Sequence, residues 1–132
     1  MNLAEYIPRH KGDLDTARSA VAAGYAQLKP VIPEILQWHQ DYNWPVAHIL
    51  SDLYRDADDD IIPHLERVLQ SDDWCWKYWV VSDIIPQIGK SAARHFLPEL
   101  ERLSRAPTKD EIANEIDQVA RDALKRLYEK LG

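Results

Sequence analysis

Apolar positions recur along the chain at helical spacing in short blocks, and prolines or residues suited to helix caps separate those blocks. Strand-like alternation is almost absent. Asp13 or Asp15 can cap a first helix that runs through Ala17, Val21 and Ala22 and ends at Gly24. A second is expected over Val31 to His39, with Pro33 in its opening turn, where a missing N–H costs little. Asn43 is placed to cap a third, in which Trp44 and Pro45 form the first turn and Val46, Leu50 and Leu53 share one face. Asp58, Asp59 and Asp60 open a fourth, carrying Ile61, Leu65, Val68 and Leu69. Ser71 or Asp72 caps a fifth that starts at Trp74, heads towards Ile85 and breaks near Pro86 and Gly89. A sixth is expected around Phe96 to Leu103, with Pro98 near its start. The last has the clearest signal: Thr108 and Glu111 have capping-box spacing, and Ile112, Ile116, Val119, Ala123, Leu124 and Leu127 read as one continuous stripe.

The blocks also resemble one another. Ile32-Pro33-Glu34-Ile35, Ile62-Pro63-His64-Leu65 and Leu97-Pro98-Glu99-Leu100 share the order apolar, Pro, polar, apolar, with prolines 30 and 35 residues apart. Trp44 follows Pro33 by eleven residues, and Trp74 follows Pro63 by eleven. That spacing accommodates a short helix, a tight turn and the start of a second helix. Two helices alone cannot bury an apolar face, so such pairs are expected to stack into a solenoid.

At 132 residues the chain is expected to form one domain, 1–132, large enough to need no disulfide or metal staple. Hydrophobic residues at 45% and charged residues at 29% exclude a disordered or fibrous chain. The uncharged runs are too short to span a bilayer and Met1 to Glu5 lacks a signal-peptide pattern, so a soluble cytoplasmic protein is expected, without membrane partners. The formal charge is −6, and its distribution matters more than its size: residues 1–66 carry 5 Lys/Arg against 11 Asp/Glu, residues 67–132 carry 11 of each. Much of the excess sits at Asp52, Asp56, Asp58, Asp59 and Asp60. Such a cluster repels phosphate backbones and argues against nucleic acid, while attracting a basic protein.

Beyond pattern and charge, three stretches carry a family likeness: Ile7-Pro8-Arg-His-Lys11-Gly-Asp13, Leu36-Gln-Trp38-His-Gln-Asp41-Tyr42-Asn43-Trp44-Pro45-Val46-Ala47, and Leu69-Gln-Ser71-Asp72-Asp73 with Trp76-Lys77-Tyr78-Trp79. Together they resemble a small bacterial family of a domain of unknown function. The resemblance implies a HEAT-like helical repeat and assigns no catalytic residues. The expected fold is therefore all-α, a short right-handed solenoid of about three HEAT-like helix pairs plus an N-terminal helix. Families of this kind often accompany secreted bacterial toxins as immunity proteins.

All five tryptophans fall between positions 38 and 79, with Tyr42, Tyr54 and Tyr78 among them. Aromatics this dense can anchor a protein interface or cage a cation, and they can equally fill a core. Asp56, Asp58 and Asp60 match the first calcium-loop ligands, but Ile61 and Arg67 stand where the loop needs Gly and Glu, so no metal is expected. The five histidines show no zinc spacing and are read as surface or half-buried groups, and the single cysteine, Cys75, as a packed thiol. Isolated glycines exclude a phosphate loop, and no cofactor is expected. The resulting expectation is a non-enzymatic protein-binding module, an immunity protein or antitoxin that neutralises a basic toxin domain. Its binding residues are expected to be Trp38, Tyr42, Trp44, Asp52, Asp56, Asp58, Asp59, Asp60, Trp74 and Trp76. The alternative is a small-molecule-binding protein or enzyme with a pocket of Trp44, Trp76, Tyr78 and Asp83.

Overall fold

The computed structural model describes residues 2–132, and among them every regular element is helical and none is a strand. The chain divides into two compact units, residues 1–57 and 58–132.

In the first unit, α1 (Leu14–Ala23) begins after Asp13, as expected, and stops at Gly24. Gly24 has φ of +90°, a conformation that L side chains resist, and its N–H donates to Ala20 O at 3.1 Å to close the helix. The Asp13 carboxylate accepts the Arg9 N–H at 3.0 Å; that bond, with lesser ones from Thr16, holds its pKa below the usual value. Next come α2 (Tyr25–Leu28), a 3-10 turn over Lys29–Val31, and α3 (Ile32–Leu36), which tightens into 3-10 geometry over Gln37–His39. The buried set Ile32, Ile35, Leu36 and His39 falls at i, i+3, i+4 and i+7, a single face across the change of helix type.

Then α4 (Pro45–Leu50) runs on into a 3-10 segment, Ser51–Asp56. Its N-cap is Trp44, one residue later than Asn43: Pro45 forces its predecessor into extended backbone, and Trp44 has ψ of 127°. The core joins Ala17 and Ala20 of α1, small enough for close approach, to Val46, Ala47 and Leu50 of α4, with Tyr25, Leu28, Leu53 and Tyr54 alongside. Val46 N–H, an orphan of the first helical turn, donates to Lys11 O at 3.1 Å.

In the second unit a 3-10 turn, Asp59–Ile61, which buries Ile61, leads into α5 (Ile62–Leu69), which buries Leu65 and Val68. Next, α6 (Trp74–Trp79) is capped by Asp73, whose carboxylate accepts Trp76 N–H at 3.0 Å. Ser71 is not the cap because its hydroxyl donates to Val68 O and accepts from Asp73 N–H. After α6 the backbone widens to a π turn over Val80–Ile84 and tightens to 3-10 over Ile85–Gln87. Carbonyls of this irregular run accept long cations from the C-terminal helix: Arg126 reaches Ser82 O at 2.9 Å, and Lys130 reaches Pro86 O and Ile88 O.

The remaining elements are α7 (Lys90–Arg105), α8 (Lys109–Ala113) and α9 (Ile116–Leu131), with α7 and α9 the main packed pair. Pro98 lies inside α7 and does not open it. The expected third apolar-Pro helix start is thereby corrected. An interior proline costs about 3 kcal/mol by removing one hydrogen bond and crowding the previous turn. Here the abandoned Arg94 carbonyl belongs to an exposed residue, as does Pro98, while Phe96, Leu100 and Leu103 bury an apolar face that holds the helix together. The capping box forms as expected, with Glu111 N–H to Thr108 Oγ1 at 3.2 Å and Thr108 N–H to Glu111 Oε1 at 2.8 Å. The stripe beyond it is not continuous. Glu115 adopts φ of +60°, which separates α8 from α9 and leaves Ile112 52% exposed while Ile116, Val119, Ala123, Leu124 and Leu127 are buried.

Candidate functional site

On the first unit, the face of the α3 run opposite its buried stripe carries Glu34, Gln37 and Trp38 at i, i+3 and i+4. A turn returns the chain to this face: the Asp41 carboxylate accepts Asn43 N–H at 2.9 Å, and Trp44 N–H donates to Asp41 O at 3.1 Å. This places the Trp44 ring 5.5 Å from that of Trp38, with the planes at 68°. Ile7, Pro8 and Gln40 complete an open groove of about 360 Å³ around the two rings, with Glu34 and Gln37. Among the described residues its walls are aromatic and aliphatic, its polar side chains are two amides and one carboxylate, and no Lys or Arg lines it. Both tryptophans are half-buried, the state in which an aromatic ring is held by its own fold and still has area to give a partner.

The other expected site residues lie elsewhere. Tyr42 packs edge-to-face on His48, with centroids 4.4 Å apart. Asp52 and Asp56 are exposed, Asp52 paired with Arg55 at 3.6 Å. Asp58, Asp59 and Asp60 belong to the second unit and are exposed; Asp58 also accepts Ala92 N–H at 3.3 Å, so it has a structural task at the start of α7. Trp74 and Trp76 are half-buried in the first turn of α6, and the Lys77 ammonium lies 4.1 Å from the Trp74 ring centroid. Trp76, Tyr78 and Asp83 do not line the groove that holds Trp44. Cys75 is exposed, which corrects the packed-thiol expectation: Trp74, Trp76, Tyr78 and Trp79 take half-buried positions of α6 around it. Among the described residues no group of three or more His, Cys, Asp or Glu is placed to hold a metal ion.

Residues 6–124 match the family described as a domain of unknown function, DUF5071. The chain belongs to the DUF5071 family. The matched span contains every described residue that lines the groove. No curated protein matches the sequence.

This DUF5071 chain also buries a polar pair, one member of which, His39, stands where its sequence did not place it. His39, expected at or near the surface, is 1% exposed and packs edge-to-face on the fully buried Tyr54, with ring centroids 5.1 Å apart. Neither His39 Nε2 nor Tyr54 Oη has a hydrogen-bond partner among the described residues. Burial pushes the imidazole pKa down to about 3, and burial, aided by Tyr25, raises the Tyr54 hydroxyl well above its ordinary value. Both groups are therefore neutral at physiological pH, and neither is placed to act as an acid or base towards solvent. The signal was present: His39 continues the i, i+3, i+4, i+7 series that Ile32, Ile35 and Leu36 begin.

Proposed function

We propose that this DUF5071 chain is a non-enzymatic protein-binding module, an immunity protein or antitoxin of a bacterial cytoplasm that neutralises a toxin by sequestering it. The observation that carries the reading is the pair of half-buried tryptophans, Trp38 and Trp44, held 5.5 Å apart in an open groove. An apolar floor with a polar rim is the usual build of an interface centre, and Trp is among the residues whose truncation costs most there. Exposed Asp52, Asp56, Asp59 and Asp60 add a field that raises the association rate of a basic partner. The HEAT-like repeat belongs to the same proposal. It is supported by Pro33 and Pro63, which open α3 and α5, and by Trp44 and Trp74, which stand at the starts of α4 and α6. Pro98 does not open a helix, so the repeat rests on the first two copies.

The test is capture of the partner from a native lysate, direct titration of the purified pair, and co-expression to measure suppression of toxicity. W38A and W44A are each expected to weaken the complex by about 30-fold, the equivalent of a 2 kcal/mol hot spot. A partner bound equally well by both variants, or a saturable partner whose toxicity is unaffected, would overturn the reading.

A further inference from the structure

We infer that the Trp38/Trp44 groove is a receptor for an arginine side chain of a basic partner protein, with Glu34 as its counter-charge; this rests on the protein-binding reading above. Three observations point to a cation. The groove offers two indole rings inclined at 68°, and indole faces are the best aromatic partners for a positive charge. Among the described residues that line it, the one charged group is the Glu34 carboxylate. No cation among the described residues lines it, in contrast with the second unit, where Lys77 already lies over Trp74 at 4.1 Å. The cation that Trp74 finds within the fold has no counterpart among the described residues that line the groove at Trp38 and Trp44.

The polar groups favour guanidinium over ammonium. A guanidinium is planar, weakly hydrated, stacks on aromatic rings and presents five N–H donors in a fixed fork. The groove supplies acceptors of two kinds, the Glu34 carboxylate and the side-chain carbonyls of Gln37 and Gln40. Ile7 and Pro8 provide apolar wall for the methylene stem. At about 360 Å³ the groove is at the lower end of ligand-site volumes, roughly 300–1,000 Å³, which suits one inserted side chain. A partner that blocks or is blocked here would present that arginine from a basic surface, complementary to a chain of net charge −6.

The test uses the intact protein and three small probes, N-acetyl-arginine amide, N-acetyl-citrulline amide and N-acetyl-norleucine amide. The five indole N–H signals are followed by NMR, with those of Trp38 and Trp44 assigned through W38F and W44F. The arginine probe is expected to shift these two signals saturably, about tenfold more tightly than the neutral citrulline or apolar norleucine probe. E34Q, an exposed and isosteric change, is expected to weaken the arginine probe by roughly three- to fivefold. Equal binding of the citrulline or norleucine probe, or shifts confined to Trp74, Trp76 and Trp79, would overturn the inference. A captured partner that binds normally while the arginine probe leaves Trp38 and Trp44 unmoved would refute this inference alone. Saturable arginine binding without any protein partner would overturn the module reading, and with it the partner-protein part of this inference, while upholding the groove as a guanidinium site.

Discussion

Acidification should destabilise the first unit through His39. The imidazole is buried with a pKa of about 3, while in an unfolded chain it titrates near its ordinary 6.5. As pH falls below 6.5 the unfolded state takes up a proton that the folded state refuses, so stability is fully present above that value and declines down to about 3. The slope is about 1.4 kcal/mol per pH unit, which makes the loss about 2 kcal/mol at about pH 5. The assay is urea denaturation followed by far-ultraviolet circular dichroism at about pH 7.5 and about pH 5, on wild type and on H39L. Carboxylates such as Asp13 and Glu111, whose pKa values are lowered by their hydrogen bonds, add a background loss on acidification, but they do so in both proteins. The diagnostic is therefore the difference: H39L should lose about 2 kcal/mol less than wild type between the two pH values. Parallel losses would refute the reasoning, and so would a folded-state His39 ring signal that titrates near its ordinary pKa.

Four further outcomes follow from the fold and the surface. P98A should stabilise the protein by up to about 3 kcal/mol, because it returns an N–H donor to the Arg94 carbonyl; an unchanged melting temperature would show that α7 has already adapted to the proline. G24A, at φ of +90°, should cost about 1 kcal/mol or more and lower the melting temperature by several degrees, although nothing lies within 4 Å of the added methyl. Cys75 should react stoichiometrically with a thiol reagent in the native protein; labelling that requires denaturant would contradict its outward register. With a partner in hand, Asp58, Asp59 and Asp60 changed together to Asn should slow association and flatten its salt dependence, since Asn keeps the acceptor that Asp58 offers to Ala92. Unchanged rates would remove steering by these aspartates.

What the sequence could disclose depended on whether a feature is local. Gly24, the Thr108–Glu111 box and the prolines at 33, 45 and 63 act on their own turn of helix, and each stands where local chemistry places it. Pro98 and Glu115 went the other way. One is carried through a helix whose buried face packs on α9, and the other takes a left-handed conformation between α8 and α9 that its residue type does not announce. The same division runs through the site. Trp38 and Trp44 are six residues apart, but their meeting depends on the Asp41 turn, and nothing in composition separates them from Trp74, which finds its own cation. His39 was legible as a face of the α3 run and misread as a residue type, since histidine is more often found at surfaces.

The contacts of Arg126 and Lys130 with carbonyls of the irregular run after α6 set an order of events during synthesis. Those bonds join residues 42 to 44 positions apart, and they close backbone groups that a regular helix would have satisfied locally. On the ribosome, α5 and α6, at eight and six residues, are too short to be stable alone, and the bonds that Arg126 and Lys130 make to residues 82–88 can form only once those two residues have left the exit tunnel. The second unit is therefore completed only after α9 has been delivered, whereas residues 1–57 can pack while translation continues.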